Sequence, residues 1–243
     1  MIQKERLSVL IPYRDREDNL KVFTTYFHNF MKNNHPNIMY DIIIIEQGNK
    51  KPFNKGILFN IGFLLSGSNI DYFALHDVDQ LPISANYTYA KRPAHICVNV
   101  FSQNSNGQLH NTYKHEKYQQ RGGAIIINRE CYTNANGHSN NFWGWGGIDD
   151  DFSNRNNFCG NGFHRFKNIE ENDNGYFVSL CANTKRFTQD EHYTRNYDYA
   201  KKVLYGEIDW KTEGLNTTKF ELKKTIVKKE YIKYIVDFDN DVE

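Results

Sequence analysis

Apolar positions in the first eighty or so residues of this chain follow two rhythms in alternation. Residues 7–11 (Leu-Ser-Val-Leu-Ile), 40–46 (Tyr-Asp-Ile-Ile-Ile-Ile-Glu) and 72–75 (Tyr-Phe-Ala-Leu) are short apolar runs rich in β-branched and aromatic side chains. Such runs predict buried strands. Between the first two, Leu20, Val22, Phe23, Tyr26, Phe27 and Phe30 recur at helical spacing, so 17–30 predicts an amphipathic helix. Residues 54–66 predict a second helix, with Ile57, Leu58, Ile61, Leu64 and Leu65 available for one face. Strand, helix, strand, helix, strand is the pattern of a parallel sheet with crossover helices. Ligands in such sheets bind beyond the carboxyl ends of the strands. Here those ends carry Arg14 and Arg16, then Glu46 and Gln47, then Asp77 and Asp79. The placement points to a nucleotide site.

The rest of the chain reads differently. Residues 96–101 and 124–128 are strand-like, 134–161 is a loop-rich stretch of Gly, Asn, Trp and Asp, and 213–227 and 231–238 predict late strands closing the fold. No repeat and no Pro/Ser-rich linker interrupts the 243 residues, so a single domain is expected.

Charge and composition narrow the classes. Thirty Lys and Arg against twenty-nine Asp and Glu leave a net charge of +1, which argues against a nucleic-acid partner. No run approaches the ~20 apolar residues of a membrane span. The start, Met-Ile-Gln-Lys-Glu-Arg, enters the first strand without the apolar core of a signal peptide, so a cytoplasmic location is expected, at most peripheral at a membrane. The four cysteines show no CxxC pair and read as thiols.

Three segments carry candidate chemistry. Asp77-Val78-Asp79 sets two carboxylates at i and i+2 past a buried strand, where hard oxygens suit Mg²⁺ or Mn²⁺; the plainer reading is a solvated strand end. Pro12-Tyr13-Arg14-Asp15-Arg16 offers two guanidinium groups to a diphosphate, or else a solvated turn. Residues 142–151, Phe-Trp-Gly-Trp-Gly-Gly-Ile-Asp-Asp-Asp, combine a mobile glycine backbone, indole faces that stack on sugar rings, and three adjacent acids. Crowding there would raise the pKa of one acid, as suits a general base. His192 is a metal ligand only if the fold returns it beside Asp79.

Taken in order, these segments, with residues 52–63 (PFNKGILFNIGF), 121–137 (RGGAIIINRECYTNANG) and 213–222 (EGLNTTKFEL), resemble the β-1,4-galactosyltransferase family from about residue 7 to about residue 225. The resemblance implies an α/β fold of the GT-A type, a single domain with a mixed sheet flanked by helices. It divides into a nucleotide-sugar half (1–82), an acceptor and catalytic half (83–225) and a C-terminal extension (226–243). It further implies a UDP-sugar donor, galactose by default and N-acetylgalactosamine as the alternative, and a glycan or glycolipid acceptor. Transfer inverts the anomeric centre to a β-linkage and depends on Mn²⁺, with Mg²⁺ the alternative ion. By the same resemblance Pro12, Tyr13, Arg14, Arg16, Phe53, Lys55, Asp77, Val78 and Trp145 hold the donor, and Trp143, Gly147 and Asp150 hold the acceptor. Asp79 and His192 ligate the metal with Asp190, and Asp149 is the catalytic base. Two departures stand out: Lys55 where the family often has Arg, and Ile148 where it usually has Glu. The second implies altered acceptor specificity. A cytoplasmic bacterial or viral member, or a non-catalytic nucleotide-sugar-binding homologue, are the readings that follow.

Overall fold

The computed structural model describes residues 5–103, 109–111, 121–165, 175–180 and 191–239. The three apolar runs are β1 (Arg6–Tyr13), β2 (Met39–Gln47) and β3 (Tyr72–His76), with α1 (Glu17–Asn34) and α2 (Lys55–Leu65) between them. β1 pairs in parallel with both neighbours, giving the order β2-β1-β3. The chain therefore leaves β1 to one side through α1 and recrosses it through α2. Right-handed crossovers in opposite directions put the helices on opposite faces. The packing agrees: Leu7, Val9 and Ile11 meet Phe23 and Phe27 of α1, while Leu10 meets Ile57, Leu58 and Ile61 of α2. A register slip of one residue would exchange the two sets.

α2 departs from the single apolar face expected of it. Every residue from Gly56 to Phe63 is buried, and Leu64 is exposed. Glycine permits this. A Cβ on Gly62 would lie 2.8 Å from Ile45 Cδ1, and one on Gly56 would lie 2.6 Å from the Ser139 carbonyl oxygen. The helix is thus pressed between the sheet and the 138–140 segment. Its one buried amide, Asn60, donates to the His138 carbonyl and to Asn140 Oδ1 and accepts from the Tyr132 hydroxyl.

The later elements are β4 (Gln80–Ser84), β5 (Ala94–His95), β6 (Asn99–Gln103), β7 (Leu109–Asn111), β8 (Ala124–Asn128), α3 (Arg129–Asn134), α4 (Ile148–Phe158), β9 (His164–Arg165), β10 (Tyr176–Ser179), α5 (Tyr193–Leu204), β11 (Glu221–Val227) and β12 (Ile232–Asp237). They complete an eight-stranded mixed sheet, β11-β12-β2-β1-β3-β8-β5-β9, and a four-stranded sheet, β4-β10-β6-β7. Three expectations change. The apolar run 96–101 is not one strand: Ile96 and Cys97 donate to the Ala124 carbonyl, Val98 and Asn99 to that of Gly175, so the chain switches sheets within it. The loop-rich stretch 134–161 contains α4. The stretch from 213 begins with one short 3-10 turn, Leu215–Thr217, and the boundary drawn at 225/226 falls inside β11, whose partner β12 enters the main sheet parallel to β2. Among the described residues no helix is long and apolar enough to cross a membrane.

At the end of β3, His76 is fully buried against Phe23 and Phe27. Its Nδ1–H faces the Asp77 carbonyl at 2.9 Å, and its Nε2 accepts from the Tyr87 hydroxyl at 2.8 Å. Burial drives its pKa down to about 4, against the opposing pull of the Asp77 carbonyl and the Asp79 charge. Below an unfolded-state value of about 6.5 the unfolded chain holds the extra proton. The stabilisation from keeping this ring neutral is therefore complete above that pH and is lost as pH falls towards 4. NMR of the His76 ring should show the neutral form at pH 5; a titration midpoint near 6.5 would contradict the buried placement.

Candidate active site

The reversal in crossover direction opens a crevice at the carboxyl ends of β1 and β3, and Lys55, Asp77 and Asp149 meet there. Beyond β3 the chain turns sharply into β4. The Asp77 N–H donates to the Gly123 carbonyl, the Gln80 N–H to that of Asp77, and Val78 is buried in the core. Asp77 and Asp79 are thus fixed on a rigid turn. Across from them α2 begins at Lys55, its first turn capped by Asn54, whose side-chain oxygen accepts from the Ile57 N–H at 3.0 Å. The Lys55 ammonium lies 2.8 Å from Asp77 Oδ1 and 3.4 Å from Asp149 Oδ1. Burial pulls the pKa of Lys55 down, but Asp149 and Asp77 outweigh it and the net shift is upward. Burial pushes Asp77 up to about 6, with Lys55 opposing and Asp79 and Asp149 adding to the rise.

Asp149 is the second residue of α4, backed onto Gly122; a Cβ on that glycine would lie 2.3 Å from Asp149 Oδ2. The three consecutive aspartates have separate cations. Asp149 faces Lys55, Asp150 pairs with Arg121 at 3.3 Å, and Asp151 accepts from Arg155 Nε at 2.7 Å with both side chains fully buried. Arg155 also donates to the Glu213 carboxylate and carbonyl, and Glu213 in turn accepts from the Asn140 N–H and the Tyr199 hydroxyl. The rise in pKa expected from crowding falls on Asp151, which burial pushes up to about 6, and on Asp150, also through burial.

The glycines before α4 serve conformation. Gly144, Gly146 and Gly147 have φ of 68°, 104° and 75°, left-handed values that L side chains rarely adopt. Asn196 of α5, fully buried, donates to the carbonyls of Trp143 and Trp145, and the Gly144 N–H donates to the Phe53 carbonyl. The segment expected to be mobile is tied down at three points. The two tryptophans part company. Trp143, expected at the acceptor, is 8% exposed, packs on Phe238 and has Lys51 over its ring, so it belongs to the core. Trp145 is 39% exposed and stacks on Tyr193. Gly147, also expected at the acceptor, is buried; a Cβ there would meet the Asn196 carbonyl at 2.9 Å.

A cleft of about 500 Å³ is lined by Arg14, Phe53, Trp145 and His192 together with Lys50, Lys51, Pro52, Gly144 and Glu191. Arg14 lies over the Phe53 ring and donates to the Lys51 carbonyl. Of the lining residues, Lys50 and Lys51 were not singled out in the sequence; their place next to Pro52 and Phe53 was the available signal. Pro12 and Tyr13 close β1 beneath this rim, both buried, and Arg16 is exposed beyond it. His192 stands immediately before α5, its Nδ1 3.7 Å from Glu191. Asp190 lies outside the described residues. Among those described, no three of His, Cys, Asp and Glu assemble as a metal site. Of the three metal ligands that the resemblance implies, Asp79, on the turn after β3, and His192, before α5, are described.

Fold and site together define a catalytic domain of the GT-A glycosyltransferase type. Over 98% of this chain and 95% of the other, the structure matches the catalytic domain of Drosophila β-1,4-galactosyltransferase 7 in complex with xylobiose, at a TM-score of 0.76 and 26% identity. A mutant of that enzyme in complex with manganese, UDP-Gal and xylobiose matches at 0.75. The model for the N-terminal region of glycosyl transferase group 7 matches residues 2–92, and that for the N-terminal domain of galactosyltransferase matches residues 104–179. The chain belongs to this glycosyltransferase family. It is 34% identical over 239 residues to β-1,4-galactosyltransferase 4 of Cricetulus griseus, covering 96% of this chain and 64% of the relative. To β-1,4-galactosyltransferase 7 of Mus musculus it is 36% identical over 153 residues, 62% of this chain and 43% of the relative. The chain thus spans less than two thirds of the length of these curated relatives.

The ion pairs separate the aspartates in an unfolding experiment. Asp151→Asn or Glu213→Gln deprives buried Arg155 of a carboxylate and should cost about 3–5 kcal/mol in urea titrations. Asp150→Asn, at a partly exposed pair, should stay within about 1 kcal/mol. Equal losses at positions 150 and 151 would refute the division.

Proposed function

We propose that this domain transfers galactose from UDP-galactose to a hydroxyl of an acceptor sugar, with inversion to a β-linkage and dependence on Mn²⁺. The observation that carries the reading is the convergence of Asp77 and Asp149, from two halves of the chain, on the single Lys55 ammonium at the carboxyl edge of β1 and β3. One carboxylate belongs to the donor side of the crevice and the other to the start of α4, so a sugar between them has a group on each face.

In this reading Arg14 and Lys55 meet the diphosphate, the guanidinium by paired donors and the ammonium as a point charge. Phe53, with Arg14 stacked on it, and the exposed face of Trp145 close the donor cleft. Asp149 takes the proton from the acceptor hydroxyl as that oxygen attacks the anomeric carbon from the face opposite UDP. Asp150, held by Arg121, accepts from a second acceptor hydroxyl. Manganese, which the Drosophila relative binds together with UDP-Gal, suits a donor set of carboxylate oxygen and imidazole nitrogen. Asp79 and His192 would hold it here, and Asp190 is the third candidate. When bound, the ion offsets charge on the departing diphosphate.

The test is radiolabelled galactose transfer from UDP-galactose to a panel of acceptor sugars, with UDP-N-acetylgalactosamine as the second donor. Asp149→Asn should lower kcat by about 10²–10⁴-fold, the range for loss of a general base, while UDP affinity stays unchanged. Chelation of the metal should abolish transfer until Mn²⁺ is restored. Normal turnover by the Asp149→Asn enzyme, or no transfer from either donor to any acceptor, would overturn the proposal.

A further inference from the structure

The loop between β2 and α2 is built around one amide. Gln47, the last residue of β2, is buried, and its Nε2 lies 2.9 Å from Asn49 Oδ1, 3.1 Å from the Lys51 carbonyl oxygen and 3.0 Å from that of Pro52. Its Oε1 accepts from the Asn54 N–H at 2.9 Å. Three acceptors around the nitrogen and a donor at the oxygen fix which way the amide faces. A carboxylate in its place would confront three oxygens, and an apolar side chain would withdraw the donor from all of them.

Gln47 stands behind the donor cleft, not in its lining, yet each of its backbone partners adjoins a lining or phosphate-facing group. The Lys51 carbonyl also accepts from Arg14 Nη1 at 2.6 Å, so one oxygen holds the loop and the guanidinium together. Pro52 precedes Phe53, over whose ring Arg14 lies. Asn54 caps α2, which begins at Lys55. The chain end closes this loop from outside. The Gly48 N–H donates to the Val236 carbonyl at 2.8 Å, and a Cβ on Gly48 would lie 2.6 Å from Asp237 Oδ1, so the backbone rests directly on β12. Asn49 Nδ2 donates to the Phe238 carbonyl at 2.8 Å, and Lys51 pairs with Asp239. The stretch beyond 225, expected to be a separate extension, therefore backs the donor loop.

We propose that Gln47 is a positioning residue for the donor diphosphate: it sets Arg14, Phe53 and Lys55 in one arrangement, and Asn49, bonded to the Phe238 carbonyl, holds that arrangement from behind. This inference rests on the transferase reading above and deepens its donor site. Gln47 touches no substrate. Its amide acts through the Lys51 carbonyl on Arg14 and through the Asn54 N–H on the head of α2. Without it the same cations and ring remain, but the loop no longer holds them together, so donor affinity falls while the groups on α4 are spared.

The experiment titrates UDP in the presence of Mn²⁺ by calorimetry and measures KM for UDP-galactose and for the acceptor separately. Gln47→Met should raise the UDP Kd and the donor KM about tenfold, the scale of a lost buried hydrogen-bond partner, with kcat and acceptor KM within about twofold of the unchanged chain. In an Arg14→Ala background the same substitution should cost about threefold or less, because the amide acts through the guanidinium. Asn49→Ala should move the same quantities in the same direction, and it carries the test if the Gln47→Met chain does not fold. Asn128→Ala is the control. That buried amide binds the Ala90 and Lys91 carbonyls at the opposite end of the sheet, beside Tyr72, so its loss should lower the melting temperature and leave the UDP Kd unchanged. An unchanged UDP Kd in folded Gln47→Met or Asn49→Ala, or an undiminished loss on top of Arg14→Ala, overturns the role. A wild-type chain that binds no UDP is instead the failure of the transferase reading, and this inference falls with it.

Discussion

Three carboxylates in a row at the start of one helix repel one another, and the tertiary structure is arranged around that repulsion. The helix N-terminus itself favours negative charge, but not three charges within one turn. Each aspartate is therefore aimed at a cation from a different part of the chain: Lys55 at the head of α2, Arg121 before β8, and Arg155 one turn along α4. The three pairs sit at three depths. The Asp151–Arg155 pair is fully buried and locks α4 to Glu213, and so to Tyr199 of α5. The Asp150–Arg121 pair is at the surface, where exchange for a ligand hydroxyl is cheap. The Asp149–Lys55 contact is the longest of the three and is shared with Asp77.

The same logic explains the glycines. The chain must deliver Asp149 to the crevice and keep Trp145 at its rim while α5 packs directly behind. Left-handed backbone at Gly144, Gly146 and Gly147 turns the chain tightly enough, and the missing side chains at 146 and 147 let the tyrosines and the Asn196 carbonyl come within contact distance. Conformational freedom in the unfolded chain is the cost. Asn196 offsets part of it by satisfying two carbonyls of the turn.

The sheet and its crevice were legible in the sequence because they depend on local pattern. Runs of four to six apolar residues fix β1, β2 and β3, and alternating crossovers place their carboxyl ends together. What was not legible depends on partners far away in the chain. Trp143 and Trp145 are the same residue two positions apart, yet one is core and the other rim, a choice made by Phe238 and by Tyr193. Lys55 meets Asp149 across 94 positions, and no spacing rule connects them. The apolar run at 96–101 could not reveal that the chain changes sheets inside it, since apolar residues stand on both sides of the change. Resemblance to a family, carried by the Trp-Gly-Trp-Gly-Gly and Asp-Val-Asp segments, supplied what pattern could not: that these distant residues belong to one site.

Ile148, the departure at the first position of α4, acquires a physical explanation from its surroundings. Its side chain is 8% exposed, packed with Phe142 and Ala200, and its Cδ1 reaches towards Gly56 at the head of α2. It points into the junction of α2, α4 and α5 and not across the crevice towards Asp79. A carboxylate in that apolar junction would be buried among groups that cannot solvate it. The isoleucine instead ties the helix that presents Asp149 to the helix that presents Lys55, at Gly56, and to α5, at Ala200.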